Sequence, residues 1–127
     1  MLVADDEIAI QALVARVISG LGLVALPVGD GVAAVAAVAA HRDELICAIL
    51  DVVMPAMSGV EAALAIQRLA PDLAIVLMGG VVPAHYAGDL TRLRGAGMLA
   101  KPLRLWALRD LIVRAVEAGS PHEADGV

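Results

Sequence analysis

Short aliphatic runs alternate along this chain with longer stretches whose apolar residues recur every three or four positions. Leu2 to Ala4 has room only for a short first strand. From Glu7 to Leu21, the residues Ile10, Leu13, Val14, Val17, Ile18 and Leu21 fall on one helical face, and Gly22 ends the helix. Leu23 to Val28 reads as a second strand. Pro27 lacks an N–H and confines that strand to a sheet edge. Gly29-Asp30-Gly31 is a turn, and Val32 to His41 is an Ala-rich helix with Val32, Val35 and Val38, whose small side chains allow close packing. Leu45 to Leu50 is apolar at every position, as in a strand covered on both faces. After a loop from Asp51 to Gly59, Val60 to Leu69 is helical, and Pro71 stops it. Ala74 to Met78 is a fourth strand, Pro83 to Leu93 a weaker helix containing Gly88, and Met98 to Ala100 a short fifth strand. Leu103 to Ala118 closes the pattern, with Leu105, Leu108, Leu111, Ile112, Ala115 and Val116 turned inward. Strict strand–helix alternation predicts one α/β domain: a five-stranded, doubly wound parallel sheet with five helices on its two faces. The domain spans residues 1–118, and 119–127 reads as a flexible polar tail.

Composition sharpens this picture. Of 127 residues, 61% are hydrophobic and 2% aromatic, with no Phe, so Ala, Val, Leu and Ile must build the core. A spanning helix needs about 20 uninterrupted apolar residues. Asp30, Asp51 and Lys101 break the apolar runs, so no membrane segment is expected. Asp5, Asp6 and Glu7 follow Met1 too closely for a signal peptide, and a soluble cytoplasmic domain is expected. The net charge is −5 and the basic residues are scattered, which argues against nucleic acid. The single Cys47 excludes an internal disulfide and reads as a small core residue. His41, His85 and His122 have no partner at ligand spacing and read as surface imidazoles. Trp106 lies off the apolar stripe of the last helix. An exposed Trp there is a candidate partner contact.

In open parallel sheets the site lies at the carboxyl ends of the strands. The first strand ends on Asp5 and Asp6, the third on Asp51, the fourth on Gly79-Gly80, and the fifth on Lys101-Pro102. An acidic pair before a helix is often only a cap. Three carboxylates on two strand ends, with one ammonium on a third, are more specific. Such carboxylates raise one another's pKa unless a cation sits among them. All-oxygen ligands in a small open cluster suit Mg²⁺, and one Lys suits a phosphoryl group. Together they describe phosphoryl transfer onto a carboxylate.

Three stretches carry a resemblance: "LVADDE" at Leu2 to Glu7, "AILDVVMPAMSGVE" at Ala48 to Glu61, and "LAKPL" at Leu99 to Leu103. With these the chain resembles the receiver domains of two-component response regulators, chemotaxis-regulator-like, from Leu2 to about Glu117. The resemblance implies a flavodoxin-like strand order, 2-1-3-4-5. It implies Asp51 as phosphoacceptor and Lys101 as the contact to the phosphoryl oxygens. It implies Asp6, Asp5 through a ligating water, Asp51 and the backbone carbonyl of Val53 as ligands of Mg²⁺. A histidine kinase or phosphotransfer protein, or a small donor such as acetyl phosphate, would supply the phosphoryl group. The domain would catalyse only its own phosphorylation and dephosphorylation, and its output would be contact with an unknown downstream protein.

Two positions depart from the family. A Thr or Ser usually ends the fourth strand, but this chain has Gly79, twenty-eight residues after Asp51. A Tyr or Phe usually stands three residues before the Lys, but this chain has Met98. Both halves of the usual switch are missing together. The runner-up reading is therefore an interaction module of the same fold that phosphorylation no longer controls. A phosphatase of the haloacid dehalogenase type needs a second Asp two residues after its nucleophile, where this chain has Val53. No DNA-binding or catalytic output domain fits in the length, so a stand-alone receiver or one excised from a larger protein is expected.

Overall fold

The computed structural model describes residues 1–79, 84–93 and 97–118. Its elements run β1 (Leu2–Ala4), α1 (Ile8–Gly20), β2 (Leu26–Val28), α2 (Gly31–His41), β3 (Cys47–Asp51), α3 (Gly59–Leu69), β4 (Ala74–Gly79), α4 (Ala87–Arg92), β5 (Gly97–Ala100) and α5 (Leu105–Ala118). A single 3-10 turn, Ala84–Tyr86, leads into α4. The expected tail from Gly119, together with Gly80 and Pro83, lies outside the described residues.

The five strands are parallel in the order β2-β1-β3-β4-β5, as expected. Alternate side chains leave opposite faces of a strand, and the core divides accordingly. Leu2, Ala4, Ala48, Leu50 and Leu77 share one cluster with Ala34 and Val38 of α2 and with Ala62 and Ile66 of α3. Val3, Cys47, Ile49, Val76 and Met78 share the other with Val14 and Ile18 of α1 and with Leu108 and Ile112 of α5. Cys47 is fully buried and its thiol is pushed up to about 12, chiefly by burial.

Several expectations need correction. The second strand is shorter than Leu23 to Val28, because its partner β1 offers only the pairs Leu2↔Leu26, Val3↔Pro27 and Ala4↔Val28. Upstream of these, the Val24 carbonyl accepts from the Met1 ammonium at 2.7 Å. The third strand starts at Cys47 rather than Leu45, opposite Ala74 of β4. Leu105 is 53% exposed, not turned inward. It stands in the first turn of its helix. Leu103, before α5, packs against the core cluster that Leu105 was expected to join. Pro27 does sit on an edge strand.

Helix starts hold the loops next to the site. The Asp30 side chain caps α2 by accepting from the Ala33 N–H at 2.7 Å. The Ser58 hydroxyl caps α3 by accepting from the Glu61 N–H at 3.1 Å. Among the described residues no helix is long and apolar enough to cross a membrane.

Candidate functional site

β1 and β3 are adjacent, so Asp5, Asp6 and Asp51 leave the sheet side by side. Each can offer a carboxylate oxygen within 4.8 Å of the other two. Asp5 is fully buried and Asp51 nearly so, at 5% exposure, while Asp6 is exposed. Lys101, just past β5, reaches back between them. Its Nζ lies 3.2 Å from Asp5 Oδ2 and 3.2 Å from Asp51 Oδ1. The solvated Glu7 carboxylate is 3.9 Å from the same ammonium.

The surrounding backbone fixes this geometry. The Glu7 N–H donates to Asp5 Oδ1 at 2.9 Å, so Asp5 serves both the start of α1 and the lysine. The Val52 N–H donates to the Met78 carbonyl at 2.8 Å, and the Lys101 N–H to the Gly79 carbonyl at 3.3 Å. The Gly59 N–H returns to the Val52 carbonyl at 2.8 Å, folding the β3–α3 loop tightly over Asp51. A Cβ at Gly59 would meet the Asp51 carbonyl and lie 2.9 Å from Val52 Cα, so only glycine fits this approach. In that loop Ala56 has a positive φ of 67°, and Met54 and Met57 fill the space beneath.

Burial pushes the Asp51 carboxyl up, and the negative charge of Asp5 adds to this. Lys101 pulls the other way and does not prevail. Burial disfavours the Lys101 ammonium, but its hydrogen bond and charge interaction with Asp5, and then with Asp51, hold its pKa above the ordinary value. Three carboxylates and one ammonium leave an excess of two negative charges, which a divalent cation would neutralise. Mg²⁺ takes oxygen ligands and keeps some of its waters, and each of the three carboxylates offers an oxygen within 4.8 Å of the other two. The donor set therefore fits the ion.

The remaining expected positions fall as follows. Val53 follows the acidic rim and is 65% exposed. Gly79 is the last residue of β4 and pairs with Ala100. A Cβ there would press on buried Val52, at 3.1 Å from its Cγ2. Met98 is 50% exposed on β5. Trp106 is 70% exposed, at the rim of a groove between α1 and α5 that Val17, Leu21, Leu105 and Arg109 also line. The nearest hydroxyl on either side of Gly79 in sequence is already engaged: Ser58 caps α3, and Tyr86 donates to Glu61 Oε1 at 3.1 Å. His41 lies beside Glu44 and His85 beside Tyr86, whereas His122 is outside the described residues. One residue that sequence reasoning passed over also borders the site. Gln11 of α1 donates from Nε2 to the Asp5 carbonyl at 2.6 Å and to the Val28 carbonyl at 3.0 Å. Its only signal was a polar residue between Ile10 and Val14.

The fold and rim together define a flavodoxin-like α/β protein with an acidic, lysine-bridged site at the carboxyl ends of its strands. The family model of the response regulator receiver domain matches residues 1–113, and the chain belongs to that family. It is 33% identical over 112 residues to the autoinducer 1 sensor kinase/phosphatase LuxN of Vibrio campbellii, covering 88% of this chain and 13% of LuxN. It is 32% identical over 128 residues to the DNA-binding transcriptional regulator NtrC of Azospirillum brasilense, covering 98% of this chain and 25% of NtrC. The chain thus spans a quarter or less of these relatives. Among solved structures, the receiver domain of NtrX from Brucella abortus superposes with a TM-score of 0.77 at 27% identity, covering 91% of this chain and 97% of that one. Receiver domains are signalling modules of two-component systems that work with histidine kinases or phosphotransfer proteins.

Proposed function

We propose that this receiver accepts a phosphoryl group on Asp51 and reports it by protein–protein contact. The observation that supports this best is the Lys101 ammonium 3.2 Å from both Asp5 and Asp51, with Asp6 completing an acidic cluster. Asp5, Asp6, Asp51 and the Val53 carbonyl would hold Mg²⁺, which when bound draws charge from the phosphoryl oxygens. An ionised Asp51 oxygen attacks the phosphorus of a kinase's phosphohistidine. The P–O bond forms as the P–N bond breaks, and the imidazole leaves with the electron pair and takes up a proton. Lys101 offsets charge on the transferred oxygens. A small donor such as acetyl phosphate would serve in the same way.

The signal does not pass through the family's hydroxyl–aromatic couple, since Gly79 has no hydroxyl and Met98 is no aromatic. A hydrogen bond to a charged group contributes about 1.5–3 kcal/mol. Its loss weakens the phosphorylated state's bias and leaves the acceptor chemistry intact. Incubation with acetyl phosphate and Mg²⁺, read by intact mass, should add one phosphoryl group to wild type and none to Asp51→Asn. An unlabelled wild type would refute the proposal.

The same two positions favour a second reading, a receiver-fold interaction module that phosphorylation does not switch. Amide shifts on adding beryllofluoride at saturating Mg²⁺ distinguish the two. Changes confined to the rim residues favour the second reading, and changes reaching β5 and α5 favour the first.

A further inference from the structure

We infer that Gln11 is a positioning residue for the acidic site, holding the Asp5–Asp6 peptide in the orientation that presents Asp6 to a cation. The inference rests on the Mg²⁺ reading above and adds to it a residue that touches neither metal nor phosphoryl group.

The last paired residues of β1 and β2 are Ala4 and Val28. Beyond them the strands are stitched by two donors. The Asp5 N–H reaches the Val28 carbonyl at 3.2 Å, and Gln11 Nε2 bridges the Val28 and Asp5 carbonyls at 3.0 and 2.6 Å. One side-chain amide nitrogen thereby spends both its N–H groups on the backbone at the point where the ligands leave the sheet. The Asp5 carbonyl lies in one rigid plane with the Asp6 nitrogen and Cα. Fixing that oxygen fixes the direction in which the Asp6 chain departs.

Asp6 needs such help more than its neighbours. The Asp5 carboxylate is held by the Glu7 N–H and by Lys101, and the Asp51 carboxylate by Lys101. Asp6 is exposed, and among the described residues no hydrogen bond or ion pair holds its carboxylate. The Glu7 N–H bond to Asp5 fixes the peptide that follows Asp6 and leaves the one that precedes it to Gln11. Gln11, half-buried on α1 one turn after Glu7, acts on it through the peptide.

The test uses the full chain and Mg²⁺ itself. Gln11→Met keeps the length and the apolar stem and removes both donors. Calorimetry should show Mg²⁺ binding weakened about tenfold, within the range usual for residues that orient ligands. The amide shifts at saturating Mg²⁺ should reach the wild-type end point. A merely structural role would lower urea stability and leave the affinity of the folded protein unchanged. An affinity within about twofold of wild type, or an altered end point, overturns the inference. Gln11→Asn, which keeps the amide on a stem too short to reach both carbonyls, carries the same test if the methionine variant does not fold. Wild type failing to bind Mg²⁺ overturns the metal reading itself, and this outcome is read without any variant.

Discussion

Restoring the missing hydroxyl is a test of how this receiver tolerates its glycine. In Gly79→Thr the new Cβ would lie 3.1 Å from Val52 Cγ2 and 3.2 Å from Val52 Cβ. Val52 is 1% exposed, so it must move a few tenths of an ångström within a filled core. Overpacking of this kind costs about 1–3 kcal/mol. Replacing a strand glycine returns about 0.5–1 kcal/mol. The single variant should therefore be about 1 kcal/mol less stable than wild type. Val52→Ala alone removes two buried methyl groups and should cost about 1–3 kcal/mol. In the double variant the threonine occupies the space the valine leaves. The two changes should then be non-additive, with a favourable coupling of about 1 kcal/mol. Urea unfolding of the four proteins measures this cycle. Additivity within about 0.3–0.5 kcal/mol would show that Val52 does not fill the place of the absent side chain. The same proteins test output, since a threonine hydroxyl on the phosphoryl analogue contributes about 1.5–3 kcal/mol. Beryllofluoride should bind the double variant at least about tenfold more tightly than Val52→Ala.

Gly59→Ala sets the new Cβ against backbone, 2.7 Å from the Asp51 carbonyl carbon and 2.9 Å from Val52 Cα. It should cost about 3 kcal/mol or more by urea unfolding and abolish labelling of Asp51. A cost under about 1 kcal/mol would contradict the close approach. Gly88→Ala in α4 meets nothing within 4 Å and should stabilise by about 0.5–1 kcal/mol in the same assay. Ala56→Gly relieves a left-handed φ of 67°. It should stabilise by roughly 0.5–1 kcal/mol once the added freedom of the unfolded chain is subtracted. Because burial and Asp5 raise the pKa of Asp51, the folded state holds this proton at pH values where the unfolded chain has released it. Stability without metal should thus fall as pH rises from the ordinary value of 3.8 through the raised pKa, and the loss should persist at neutral pH. Asp51→Asn should be more stable than wild type at pH 7 without metal, and the gap should close in acid. A variant less stable than wild type at pH 7 would refute the charge argument.

What could be read from the sequence, and what could not, divides by the range of the interactions involved. The strands were legible because both faces of the sheet are covered, so that Cys47 to Leu50 is buried at every position. The chemistry was legible because it sits on strand ends, where order along the chain and the parallel topology bring Asp5, Asp51 and Lys101 to one rim. Strand limits were less so. The start of β2 depends on where its partner β1 begins, and no local pattern at Leu23 to Ala25 reveals that. The expected inward face of α5 failed at Leu105 because the helix's first turn is not covered, a fact set by where Leu103 enters the core. Gln11 was the least legible. Its partners are carbonyls of Asp5 and Val28, and carbonyls carry no residue identity. A glutamine that serves them differs in sequence from a solvated one only by its half-buried place beside Ile10 and Val14. The rim carboxylates and Lys101 act on one another and leave a motif, whereas Gln11 acts on two carbonyls and leaves only a polar residue where the helical pattern calls for an apolar one. In this receiver Asp5, Asp51 and Lys101 belong to the first kind, and Gln11 belongs to the second.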